Sequence, residues 1–167
     1  MAQIKFAVVE DLGRLRECEL QIWESLSEWL PDSFVRPNMD YIRRPDYLQN
    51  WQEMLQNREV IYLSAEEDKE IIGLATGRAG EGGVGTLGFL GVKKDYRRGG
   101  EGSMLLNRFL EEAKKRNAHK VWLFTSPNLH SAIRLYIKTG FVPEGYMRQH
   151  SYGLDLIIYS RFLDQQK

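Results

Sequence analysis

The stretch Thr86-Leu87-Gly88-Phe89-Leu90-Gly91-Val92-Lys93-Lys94-Asp95-Tyr96-Arg97-Arg98-Gly99-Gly100-Glu101-Gly102-Ser103-Met104-Leu105-Leu106 joins a short apolar strand, a glycine-rich turn and the opening of a helix. Glycine at 99, 100 and 102 lets the backbone turn tightly with no Cβ in the way. The helix that follows aims free N–H groups and a partial positive charge back into that turn, so the turn is built for an anion. Arg97 and Arg98 add full charge and forked donors matched to phosphate oxygens, which points to a phosphorylated cofactor rather than a carboxylate metabolite.

A glycine-rich turn alone is weak evidence in a chain with 15 glycines. Two rival phosphate motifs fail on their context. Gly83-Val84-Gly85-Thr86-Leu87-Gly88 matches G-x-G-x-x-G, but that turn must open a helix, and Phe89-Leu90-Gly91-Val92 is an apolar run too short for one. A G-x-x-x-x-G-K-[ST] loop is absent from the sequence. The surviving pattern is Arg97-x-x-Gly100-x-Gly102.

With its flanks, this pattern resembles the cofactor signature [R/Q]-x-x-G-x-[G/A] of the GNAT superfamily of acyl-CoA-dependent N-acyltransferases. A second segment strengthens the likeness. Val121-Trp122-Leu123-Phe124-Thr125 reads as a strand, and Asn128-Leu129-His130-Ser131-Ala132-Ile133-Arg134-Leu135-Tyr136 with Lys138-Thr139-Gly140-Phe141 resembles the family's N-x-x-A-x-x-[LF]-Y-x-x-x-G-F segment. Two motifs in the family's order are more specific than either alone. The resemblance implies a mixed α/β fold whose central, mostly antiparallel sheet is flanked by helices and splays open between its fourth and fifth strands. Pantetheine amides would pair there with free strand groups. Gly88 and Gly91 suit a bulge or a close backbone approach in the fourth strand.

Composition agrees with one domain over residues 1–167. At 43% hydrophobic, with 4 Trp, 8 Tyr and 7 Phe, the chain furnishes a proper core. Lys plus Arg and Asp plus Glu stand at 23 each, so no global field attracts nucleic acid or an anionic membrane. The single Cys18 allows no internal disulfide framework, and the amino terminus carries no apolar h-region, so a reducing, cytoplasmic setting is expected. No apolar run approaches the roughly 20 residues of a membrane-spanning helix. A homodimer is left open.

Periodicity places strands at 3–8, 60–65, 71–76, 86–92, 119–125 and 152–159. A helix capped by Asp11 carries Leu12, Leu15, Cys18, Leu20 and Ile22 toward a core, further helices span 48–57 and 103–117, and a last one spans 128–139 with Gly140 just beyond it. Pro31, Pro37 and Pro45 break the segment 27–47 into irregular or short helical pieces.

By resemblance, the backbones of Leu90 and Val92 contact pantetheine, and the loop Arg97, Arg98, Gly99, Gly100, Glu101, Gly102 and Ser103 holds the pyrophosphate of acetyl-CoA. Asn128 and Tyr136 complete that site. Tyr136 lies about two helical turns beyond Asn128 and would give its proton to the departing thiolate as a primary amine attacks directly in a ternary complex. Asn128 also suits a helix cap, and Tyr136 a core position. Relatives carry a glutamate near Thr86, which cannot act as a base, so Glu24, Glu28, Asp32 and Glu81 stand as candidates, Glu24 first. Trp23, Trp29, Phe34, Tyr41 and Trp51 could wall an acceptor pocket or simply fill a core. Acidic residues between Trp23 and Asp46 favour a cationic small amine, such as a polyamine or aminoglycoside-like compound, over a peptide or protein amine. His119, His130 and His150 lie at no ligand spacing, so no metal is expected, and Cys18 reads as a small core residue. A CoA-binding sensor without efficient catalysis is the alternative to an enzyme, motivated by the missing glutamate.

Overall fold

The computed structural model describes residues 1–164. Its strands are β1 (Gln3–Phe6), β2 (Val60–Glu67), β3 (Glu70–Arg78), β4 (Val84–Val92), β5 (Lys120–Thr125), β6 (Val142–Ser151) and β7 (Leu154–Phe162). Its helices are α1 (Leu12–Ser25), α2 (Asp32–Ile42), α3 (Tyr47–Met54), α4 (Glu101–Lys115) and α5 (His130–Lys138). One sheet runs in the order β1-β2-β3-β4-β5-β7-β6. Every neighbouring pair is antiparallel except β4 and β5.

Both faces of the sheet are covered, so β2 is buried along Val60 to Ala65 rather than alternating with polar residues. Ile61, Leu63 and Ala65 join Leu105, Leu106 and Phe109 of α4 in one core. Tyr62 turns to the other face and meets Leu15, Cys18 and Ile22 of α1. The β2–β3 hairpin closes through Asp68 and Lys69, both at positive φ, as a tight turn with the strands' own twist requires.

The segment 27–47 corrects the irregular reading: α2 runs unbroken through Pro37. Val35, Met39 and Ile42 are buried, and Val35 and Met39 pack in a cluster with Leu154 and Leu156 of β7. Burying such side chains gains about 1.5 to 3 kcal/mol each, which together exceeds the roughly 3 kcal/mol a helix-interior proline costs. The second correction is β6, which the periodicity did not reveal. It is an edge strand, largely exposed, and it carries Pro143 and Gly145 where the register shifts. Such a strand has little apolar alternation to read, and an edge is where proline is tolerated. A two-residue turn at Tyr152 and Gly153, both at positive φ, returns the chain into β7.

Glu19 of α1 is buried, and it accepts a hydrogen bond from the Tyr47 hydroxyl of α3, with Trp23 one turn along also held to it. Burial raises its carboxyl above the ordinary value of 4.5, and the bonds from Tyr47 and Trp23 only partly oppose this. The folded state therefore keeps this proton more tightly than the unfolded chain does. Stability from Glu19 is full below pH 4.5 and is lost as pH rises through the raised folded value. Glu19→Gln, which keeps an acceptor without a charge, should raise the melting temperature at neutral pH and flatten its decline above pH 4.5. Parallel melting curves for the two proteins at every pH would show that Glu19 carries no such linkage.

Candidate functional site

β4 and β5 pair only at Val84, Gly85 and Thr86, against Lys120, Val121 and Trp122. Beyond Thr86 the two strands part. β4 stays paired with β3 on its other side as far as Val92, so its β5-facing groups from Leu87 onward have no strand partner among the described residues. Between the parted strands lies a cavity of about 610 Å³. Its floor is Leu87 to Val92, one wall is the start of α4 with the loop before α5, and the other is the end of α1 with α2.

Gly88 sits in a bulge, because Thr76 of β3 faces Phe89 while the next residue, Gly77, faces Leu87. A Cβ on Gly91 would lie 2.7 Å from Ile22 Cγ2 and 3.1 Å from the Phe89 ring, so glycine there lets α1 approach the strand. The turn into α4 places Arg98 at φ 73° and Gly100 at φ 101°. A Cβ on Gly100 would meet nothing within 4 Å, so the cradle above it is open. Gly102, by contrast, is an ordinary first-turn residue of α4 whose Cβ would touch Leu135 at 3.5 Å. Of the three loop glycines, only Gly100 is required by conformation.

The two arginines divide their duties. Arg97 Nε donates to the Val92 carbonyl at 2.9 Å, Nη2 donates to Ser25 Oγ at 2.5 Å, and the guanidinium lies 5.9 Å from the Trp29 ring centre. Burial lowers its pKa, opposed by the nearby Glu28 charge. Arg97 therefore ties the end of β4 to the end of α1, and it also engages the Val92 carbonyl expected to be free. Arg98 is exposed and makes no hydrogen bond or ion pair among the described residues, which leaves its whole fork for a ligand.

The cavity gathers nearly every residue expected for the cofactor. Leu90, Val92, Arg97, Arg98, Gly100 and Glu101 line it, as do Gly102, Ser103, Asn128 and Tyr136, while Gly99 does not. Glu101 carries a buried Oε2 with no hydrogen-bond partner, and its carboxylate sits where a Cβ on Gly99 would fall. Asn128 is not a cap. It precedes Ala132 by four residues, one more than N-x-x-A, and α5 begins only at His130, with Leu129 at the cap position. Its Nδ2 instead donates to the Trp29 carbonyl at 3.2 Å, bridging the two walls. Tyr136 is 7% exposed, packs against Phe141 and Tyr159, and its hydroxyl makes no hydrogen bond among the described residues. Burial raises its pKa well above the ordinary phenol range.

The expected bases are not brought together. Glu24 is exposed and outside the cavity lining, Glu28 pairs with Lys94, Asp32 pairs with Arg36, and Glu81 lies exposed in the turn before β4. Trp23, Trp29 and Phe34 do line the cavity; Tyr41 and Trp51 stack elsewhere, on Tyr47 and Tyr62. His130, Asn38, Leu154 and Leu156 line it without having been expected. Cys18 is core, its thiol pushed up to about 12 by burial.

The acetyltransferase (GNAT) family model matches residues 23–141. The chain belongs to the GNAT family of acetyltransferases. GNAT structures share its fold throughout. The PaiA N-acetyltransferase of Thermoplasma acidophilum, in complex with coenzyme A, is 18% identical with a TM-score of 0.80, covering 98% of this chain and 99% of that one. A GNAT acetyltransferase of Streptococcus pneumoniae is 21% identical with a TM-score of 0.81, covering 98% and 100%. The yncA protein of Salmonella typhimurium, with its cofactor acetyl-CoA, is 23% identical with a TM-score of 0.78, covering 100% and 96%. No curated protein matches in sequence. Parted fourth and fifth strands are thus the expected splay of a GNAT sheet, and no helix among the described residues is long and apolar enough to cross a membrane.

Because Arg97 joins two elements and Arg98 none, their alanine variants should differ in stability. Arg97→Ala should cost about 1.5 to 3 kcal/mol in urea unfolding, the range for charge-assisted hydrogen bonds, and Arg98→Ala less than about 0.5 kcal/mol. Equal midpoints for the two would remove the structural role assigned to Arg97.

Proposed function

We propose that the protein transfers an acetyl group from acetyl-CoA to the nitrogen of a primary amine, and that Tyr136 is the general acid. The observation that carries this reading is the open β4 edge leading directly to the Gly100 turn, with the unbonded hydroxyl of Tyr136 on the lining beside it. The cradle suits the cofactor's size and chemistry. A cavity of about 610 Å³ has room for a pantetheine arm, and β4 offers amide partners along its length. The first-turn N–H groups of α4 and the free Arg98 fork would suit a pyrophosphate.

When bound, acetyl-CoA supplies a thioester carbonyl for the amine to attack. The chain's own part is positioning, exclusion of water and proton control. Leu90 would orient the arm through its backbone, while Arg97 keeps the end of β4 fixed. Tyr136 holds its proton at neutral pH because burial disfavours the phenolate, and that proton is available to a sulfur leaving group. Among the described lining residues the amine end of the cavity has no carboxylate, so the acceptor gives up its proton to water or enters as the neutral amine. A CoA-binding sensor would share the cradle and differ in turnover.

Coenzyme A should raise the melting temperature, since a ligand at about 100 times its Kd adds roughly 2.7 kcal/mol to the folded state. Gly100→Val should erase that shift while the apo protein stays folded, because the branched side chain strains a positive φ and fills the cradle. An unmoved wild-type melt at millimolar CoA would remove the cofactor assignment.

Tyr136→Phe keeps the ring against Phe141 and Tyr159 and deletes the hydroxyl. It should lower kcat by on the order of 10² to 10⁴ with CoA affinity nearly unchanged. Full kcat in that variant, with an amine the wild type acetylates, would make Tyr136 a packing residue only.

A further inference from the structure

We propose that the acceptor is a primary amine carried on an uncharged aromatic or bulky aliphatic body, of the 2-phenylethylamine type, selected by Trp23, Phe34 and Phe89. The inference rests on the acetyltransferase reading and names its second substrate.

The cavity changes character along its length. At the α4 end it is polar, with Arg98 and Glu101, while Arg97 reaches across to Ser25 at the end of α1. At the α1 and α2 end the wall is aromatic and aliphatic. Trp23 lies 6.0 Å from Phe34 and 5.8 Å from Phe89 between ring centres, and Leu154 and Leu156 close the far side from β7. Tyr152, at the tip of the β6–β7 turn, meets Phe34 edge-on at 6.3 Å and braces it from outside. Glu19, bonded by Tyr47, lies one helical turn from Trp23 and does not line the cavity.

Charge excludes the competing class. Among the described lining residues Glu101 is the only carboxylate, and it belongs to the cofactor end. The acids that a polyamine would need face elsewhere. Glu28 pairs with Lys94, Asp32 with Arg36, Asp40 with Arg43 and Asp46 with Arg44, while Glu24 is exposed outside the lining. A second ammonium inside this pocket would lose its water with no counter-charge, next to Arg97. This reverses the expectation of a cationic small amine drawn from the same acids in the sequence. Asn38 is the exception to the apolar wall. Its Nδ2 donates to the Phe34 carbonyl at 2.8 Å, and its Oδ1 is unengaged among the described residues, a neutral acceptor for one N–H of a single amine.

The test is calorimetric titration of 2-phenylethylamine, isoamylamine, putrescine and spermidine into the protein with and without saturating CoA, beside kcat/KM for each amine with acetyl-CoA. 2-Phenylethylamine should bind at least tenfold more tightly than spermidine, with isoamylamine between them. Trp23→Ala and Phe34→Ala, each checked for a native circular dichroism spectrum, should each weaken 2-phenylethylamine about tenfold. Spermidine or putrescine binding as tightly as 2-phenylethylamine, absence of 2-phenylethylamine binding, or an unchanged Kd in both variants would overturn the proposal. Acetyl transfer is read separately. Spermidine acetylated with the higher kcat/KM refutes this specificity and leaves the acetyltransferase standing, whereas selective amine binding without transfer to any amine supports the pocket and refutes the enzyme.

Discussion

The parting of two adjacent parallel strands after three residue pairs is the constraint on which the molecule depends. A sheet normally satisfies its own backbone groups, and an interior strand whose edge is left open needs another partner. Here the sheet continues on both sides of the gap, through β3, β2 and β1 on one and β7 and β6 on the other. The opening is therefore framed by rigid structure. A ligand entering it meets fixed amides and does not have to order a loop, which lowers the entropy cost of binding.

Keeping the gap open requires ties across it. Arg97 fastens the end of β4 to α1, and Asn128, from the loop after β5, reaches the Trp29 carbonyl on the opposite wall. α4 packs below the sheet and α1 above it, so each half of the opening is backed by its own core. The third cluster, where α2 meets β7, closes the end of the cavity away from the Gly100 turn. Chemistry and packing divide cleanly: polar groups and turns sit at the cofactor end, aromatic bulk at the other.

The half of the fold that carries chemistry was legible because its residues are chosen by local conformation. Gly100 must adopt a left-handed turn, Gly140 does so after α5, and the apolar face of α4 repeats at helical spacing, so strand, turn and helix could be read in order. Ten of the residues expected for the cofactor line the cavity, with Gly99 outside it. What could not be read depends on distant partners. Pro37 argues locally against a helix that exists because Val35 and Met39 find β7, more than a hundred residues away. β6 is an exposed edge whose pairing with β7 leaves little apolar pattern. The acids of the α2 region could not be matched in the sequence to the arginine and lysine partners that the fold gives them, since charge along a chain says nothing about which way each side chain faces.

The extra residue in β4 has a counting consequence. Leu87 joins the α4-side core, and so do Leu90 and Val92, whereas Phe89 packs against the α1-side core. Odd-numbered positions before Gly88 and even-numbered positions after it thus share one face, because a single inserted residue exchanges the two sides of a strand. One strand thereby serves two masters: leucine and valine on both sides of Gly88 keep to the packing of α4, while Phe89 is left to the other face, against Trp23. Pairing the same residues with β3 one by one, without the bulge, would leave the composition of β4 untouched and put Phe89 on the α4 side beside Leu87. In this strand, specificity is written in the number of residues as much as in their kind.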